Sequence, residues 1–182
     1  KLFGTSSTDT NIINQTEVSD TTSIATALKA NSYGRTFLFY SAEAAKYPEA
    51  GLFGSQLALP AGQATWNFKT IVGVASDNLT TAQRSNAMAK FCNIYVPRAG
   101  VNSTEEGRTS TAGGYIDTVR NLDQFKSDIQ VDLFSLLVNN DKLAYEDADI
   151  AVVEGALRAR AQKAVDAKIL ASDPAPIIIV PK

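Results

Sequence analysis

"DNLTTAQRSNAMAKFCNIYVPR", Asp77 to Arg98, decides the architecture. Thr80 followed by Gln83 is a capping box, in which the hydroxyl and the amide satisfy two backbone donors left over at a helix start. Ala87, Met88 and Phe91 fall on one face of the helix that follows, with Cys92 beside them, and Asn93 ends it. "IYVP", Ile94 to Pro97, then reads as a short strand. Upstream, "TWNFKTIVGV", Thr65 to Val74, alternates Trp66, Phe68 and Thr70 before turning fully apolar, as a strand entering a core does. Strand, helix, strand at this spacing predicts α/β construction with buried strands.

Toward the N-terminus, Pro60, Ala61 and Gly62 break the pattern, and Pro48 opens a helical stretch through Leu57. "AEAAKY" favours helix. "RTFLFYS", Arg35 to Ser41, reads as a strand because Phe37, Leu38, Phe39 and Tyr40 form a short aromatic-rich run. A short helix is expected from Thr21 to Ala30, with Ile24, Ala27 and Leu28 on one face. Residues 1–20 are rich in Ser, Thr, Asn and Asp and read as irregular. The expected organisation is therefore a polar N-terminal segment or surface lobe, 1–34, followed by an α/β core domain, 35–182.

Toward the C-terminus, a polar loop from Gly100 to Gly114 precedes a helix of about 121–138. Leu122, Phe125, Ile129, Leu133 and Leu136 recur at helical steps and make an apolar stripe. Val131, Phe134, Leu137 and Val138 widen it, so burial nearly all round is expected at that end. A second helix of about 146–170 repeats the pattern with Ile150, Val153, Leu157, Ala161 and Ala164. Glu146, Asp147 and Asp149 crowd its first turn and basic residues its later turns, which complements the helix dipole. Pro174 and Pro176 stop it, and "APIIIV" closes as a strand. The predicted class is α/β: a mixed sheet with flanking helices and two long C-terminal helices.

The chain of 182 residues suits one domain, or one domain with a small lobe. It is 45% hydrophobic and 20% charged with a formal charge of −2, which describes an ordinary globular protein without the basic surplus of a duplex binder. The longest apolar run, Ile177 to Val180, is far too short to span a membrane. The chain starts at Lys1 and ends on Pro181-Lys182, so a piece cut from something longer is expected. It has no His, which excludes imidazole catalysis and His metal sites. The single cysteine, Cys92, has no internal disulfide partner and suits a reducing compartment. The sequons at Asn14, Asn78 and Asn102 read as chance in a chain rich in Asn and Thr.

No motif assembles into an active site. Gly107 and Gly113 are separated by five residues, not four, and Tyr115 stands where a P-loop lysine would help, so "TAGGYID" reads as a turn and not as a nucleotide cradle. An EF-hand loop starting at Asp147 fails at Ala151, Val152 and Arg158. Glu105 and Glu106 are adjacent, so their side chains point apart. Cys92 reads as a buried structural thiol. Arg158, Arg160, Lys163 and Lys168 form a basic series, a solvated face by default and an interaction face as the functional alternative. No catalytic residue, cofactor or metal is expected.

The order "ATWNFKTIVGV", "NLTTAQRSNAMAKFCNIYV", "EGRTSTAGGYIDTVRNLDQFKSDIQVDLFSLL", "YEDADIAVVEGALRARAQKAV" resembles the sheath proteins of contractile-tailed bacteriophages. There an aromatic strand ending in Gly-Val precedes an "LT"-capped helix; a strand like "N-x-Y" and a glycine-bearing loop then lead through "YID" to a long helix. The match covers about Arg35 to Leu170. Ala144 stands where the family often has proline, and Glu146 where it has threonine. The resemblance implies a structural, non-enzymatic subunit whose partners are other sheath subunits in stacked hexameric rings, the tail tube protein, the baseplate and the tail terminator. It implies no direct nucleic acid contact, no membrane insertion, assembly in the bacterial host cytoplasm and residence in the virion tail. Gly113, Gly114 and Tyr115 would then form a structural turn, with Gly113 or Gly114 at positive φ and Tyr115 and Ile116 anchored to the core. Since such subunits link through terminal arms, this chain is expected to be monomeric alone. The alternatives are a small nucleotide- or ligand-binding α/β domain and another tail or baseplate component.

Overall fold

The computed structural model describes residues 1–144 and 146–179. The chain forms two compact units, Lys1–Pro60 with Ala64–Val119, and Ala61–Gln63 with the chain from Arg120 onward. The break at 119/120 replaces the expected one at 34/35, because the polar N-terminus is built into the first unit.

That unit holds a four-stranded sheet in the order β1 (Phe3–Ser7), β2 (Thr36–Tyr40), β3 (Cys92–Arg98), β4 (Val101–Glu105). The first three strands are parallel and β4 returns antiparallel, so the expected mixed sheet is present. β2 is central and buried on both faces, which is why it reads as an unbroken apolar run. Its side chains alternate: Leu38 and Tyr40 join Cys92, Ile94 and Val96 on one face, and Phe37 and Phe39 join Tyr95 on the other. The first face is covered by α1 (Asn11–Asn14) through Ile12 and Ile13, α2 (Ile24–Ala30) through Ala25, and α4 (Thr81–Ala89) through Ala87. The second is covered by Leu52 and Phe53 of α3 (Pro48–Gln56), by Trp66 and Ile71, and by Ile116. Phe53 meets Phe37 edge-on at 4.9 Å and Trp66 at 5.6 Å, the preferred geometry for aromatic pairs.

Several expectations are corrected here. β1 was hidden because an edge strand paired through its backbone needs no apolar pattern, and its Gly-Thr-Ser-Ser run has none. α2 starts at Ile24, with Ser23 accepting from the Thr26 N–H; it turns Ala25 and Leu28 inward, leaving Ile24 exposed. "AEAAKY" yields only a 3₁₀ turn, Ala44–Lys46, while Pro48 does open α3. Thr65 to Val74 is not a strand. Phe68 stands in the left-handed region at φ +58°, which breaks the pleat, so Trp66 and Ile71 enter the core from an irregular segment while Val72 is exposed. Thr104 pins that segment: it donates its N–H to Lys69 O and its hydroxyl to Trp66 O, and accepts from the N–H groups of Phe68 and Lys69. The Gly100 to Gly114 "loop" contains β4.

The capping box at Thr80 and Gln83 is present with both its bonds. α4 stops at Ala89, since Phe91 turns left-handed at φ +57°. Cys92 and Asn93 therefore belong to β3 and not to the helix, and both are fully buried.

The two long helices are α5 (Ile116–Asn139) and α6 (Asp147–Asp166). α5 begins five positions before the expected Asn121, at the end of the glycine turn. Phe125, Ile129, Leu133 and Leu136 are half-buried as a stripe should be, but Leu122, expected to begin that stripe, is 46% exposed. Burial all round does not occur: Val131, Phe134, Leu137 and Val138 are each at least 60% exposed. α6 ends at Asp166, four positions before the expected Leu170. Ala175 to Ile179 join no strand, and Val180 of the expected closing strand lies outside the described residues. Among the described residues, no helix is long and apolar enough to cross a membrane.

Candidate functional site

The glycine turn is the best-defined functional candidate from the sequence. Thr109 and Gly114 close it through the Thr109 N–H to Gly114 O bond, and Gly114 N–H returns to Thr111 O. Gly113 supplies the positive φ, +68°. Gly114 serves differently: its φ is ordinary, but a Cβ there would overlap Thr109 Oγ1 and Thr111 Cγ2. Ile116 anchors the turn, being fully buried, whereas Tyr115 is 42% exposed and lies on the surface. The Ile116 N–H bonds to Gly107 O and the Thr118 N–H to Asp117 Oδ1. Two donors that a phosphate would need at the start of α5 are thus already engaged. Within the fold these bonds fix where α5 starts.

Buried Asn93 holds the loop before it. Its amide donates to Leu38 O and Arg108 O, and its Oδ1 accepts from the Arg108 N–H at 2.7 Å. Arg108 then lays its guanidinium on the Phe91 ring at 4.3 Å, with the Tyr115 ring at 5.7 Å. A cleft of about 310 Å³ opens beside this loop, walled by Trp66, Phe68, Glu106, Tyr115 and Asp117. A second cleft, about 620 Å³, is bordered by Arg84, Arg98 and Glu105. Its charges are engaged within the fold. Buried Glu105 pairs with Arg98 at 3.1 Å and Arg84 at 3.6 Å, and Arg84 also donates to Leu79 O and Pro97 O.

The four basic residues on and beyond α6 do not make one face. Arg158 pairs with Glu154 one turn back. Arg160 clamps Asp132 through two nitrogens and reaches Asp128 at 3.1 Å, tying α6 to α5. Its hydrogen bonds to Asp132 raise the Arg160 pKa and hold the Asp132 carboxyl below its usual range. Lys163 and Lys168 stay exposed, and Lys168 follows the helix at φ +61°.

Four buried titratable groups escaped the sequence reading or were only partly read. Lys90 and Asp20, both without exposed side-chain surface, pair at 2.6 Å. Burial pulls the Asp20 carboxyl up, but bonds from Lys90, Ser23 and Thr22 outweigh it and hold the group well below the carboxylate range. Burial pushes the Cys92 thiol far up, as its place in the core requires. Burial also raises Asp77, whose Oδ1 accepts from the Ala42 N–H. Among the described residues, no group of three or more acidic or Cys side chains could hold a metal.

The class these features define is an α/β fold with a four-stranded mixed sheet and two long helices at its C-terminal side. No protein-family model matches the chain, and a search of curated proteins returns no significant match.

Proposed function

We propose that the chain is a structural subunit of a contractile bacteriophage tail sheath. In this reading it assembles with copies of itself into hexameric rings stacked around the tail tube, between baseplate and tail terminator. Contraction of that lattice in the virion tail drives the tube through the host envelope, and the energy comes from subunit contacts more favourable after contraction. The order of motifs from the aromatic segment to the second long helix supports the family; the exposed face of α5 supports an assembling subunit.

That face is the observation that carries the reading. Val131, Phe134, Leu137 and Val138 lie open to solvent on one side of the helix. Beyond Ser127 the only charged side chains of α5 are Asp128 and Asp132, and both turn to Arg160. An exposed, charge-free apolar surface of this kind marks a protein–protein contact. Electron microscopy of the natural gene product, expressed without other phage proteins, is the test. Tubular polymers are expected; a monodisperse particle at every concentration would overturn the proposal.

A further inference from the structure

We propose that the 310 Å³ cleft between the Trp66–Phe68 segment and the start of α5 is a binding site for a guanidinium or primary ammonium group. The inference does not depend on the sheath reading.

Its walls include three aromatic residues, Trp66, Phe68 and Tyr115, and two carboxylates. Phe68 is 63% exposed although its neighbours Trp66 and Ile71 are buried in the core, and Tyr115 is 42% exposed. Glu106 and Asp117 supply the negative charge. Aromatic faces and carboxylates both attract cations, while an anion meets repulsion here from each. Arg108 stands 3.6 Å from Glu106 and stacks on Phe91, so it answers one of the two carboxylates.

The backbone is bent to make this cleft. Phe68 and Glu106 are both non-glycine residues in the left-handed region, at φ +58° and +83°, and both line it. Such conformations are costly and gather at binding sites, where the surroundings hold them in place. Thr104 does so for Phe68, by accepting its N–H on the backbone carbonyl. Gly107 lies between the walls; a Cβ there would stand 2.9 Å from Trp66 Cβ. The volume is at the small end of ligand sites, about 300–1,000 Å³, which suits one basic side chain or a short alkylamine.

The single tryptophan of the chain, Trp66, is buried but borders the cleft, so its fluorescence reports changes there, and calorimetry of the same titrations reads binding itself. The protein is titrated with N-acetyl-arginine amide, with its uncharged isostere N-acetyl-citrulline amide, with butylamine, and with the tripeptide Ala-Arg-Ala. A saturable emission change in the millimolar range is expected for the arginine compound and none for citrulline. Asp117→Asn, which keeps an oxygen for the Thr118 N–H, should weaken binding at least threefold, and Asp117→Asn with Glu106→Gln at least tenfold, with unchanged melting temperatures. Tighter binding of the tripeptide than of butylamine assigns the cation to a partner's side chain; the reverse assigns it to a free amine. No saturation, an equal response to citrulline, or undiminished binding by a folded Asp117→Asn variant would overturn the proposal.

Discussion

Replacing Lys90 by Met should be among the most damaging single changes in the first unit. Lys90 follows the last residue of α4, with its ammonium buried against Asp20 at 2.6 Å and donating to Asn11 O at 2.8 Å. Methionine matches the stem but removes the charge. Asp20 would keep its bonds from the N–H groups of Thr22 and Ser23 but lose its counter-ion, and the Asn11 carbonyl would lose its donor. Removing one partner of a buried pair costs about 3–5 kcal/mol. With a urea slope of about 1–3 kcal/mol per molar, the midpoint should fall by roughly 2 M. The exposed pair Lys46–Glu43 sets the scale: Lys46→Met should cost below about 1 kcal/mol. Asp20→Asn with Lys90→Met should recover part of the loss, since no charge is then stranded. The pH dependence has a definite sign. The folded-state pKa of Asp20 is depressed, so its stabilisation is complete above the unfolded value, near pH 4, and is lost as pH falls toward the folded value. That acid loss should be smaller in Lys90→Met. Urea denaturation followed by circular dichroism at pH 7 and pH 3 measures both effects. A Lys90→Met loss no larger than that of Lys46→Met would refute the reasoning.

Gly114→Val should lower the melting temperature more than Gly100→Val. The first forces overlap with Thr109 and Thr111, whereas Gly100, at φ +81° with open space around it, adds only the backbone cost of about 1–3 kcal/mol; equal melting temperatures would contradict this. Arg160→Met should release α6 from Asp128 and Asp132, seen as faster amide exchange in α6 with β2 and β3 unchanged; unaltered exchange in α6 would argue against the clamp. Cys92 should resist a thiol reagent at pH 8 until the protein unfolds, because its thiol is buried and its pKa raised; labelling of the native protein at the rate of a free thiol would be inconsistent with that placement.

What could be read from the residues followed from local rules. The Thr80–Gln83 box, the aromatic run of β2 and the charge gradient of α6 each carry their cause within a few positions. β1 and β4 could not be read that way, since polar strands reveal themselves only through their partners. Trp66 and Phe68 looked like alternating strand positions until a left-handed φ at Phe68 turned one ring inward and the other out. At the candidate sites, the roles of Gly113 and Gly114 as a turn were legible. The cleft was not, because Phe68, Glu106 and Asp117 come from separate segments, joined by the Thr104 contacts and by the Ile116 N–H to Gly107 O bond. The Lys90–Asp20 pair was hidden for the same reason, and Arg160 looked free for a partner because Asp132 lies on another helix.

The register of the sheet also sets an order in time. β3 and β4 are joined by the two residues Ala99 and Gly100 and pair as a hairpin, with Arg98 opposite Val101. The parallel pairings instead require Phe3 to find Thr36 and Leu38 to find Cys92, each across a long intervening stretch. Closing such stretches costs entropy before any ladder bond returns it. The hairpin should therefore be the early nucleus, with β2 docking on it and β1 arriving last. Pulse-labelled amide exchange during refolding should find Tyr95 and Thr104 protected before Thr5; protection of Thr5 first would reverse the order. A chain emerging from synthesis N-terminus first thus holds β1 unpaired until β2 has been made, with the platform for β2 on β3 made later still.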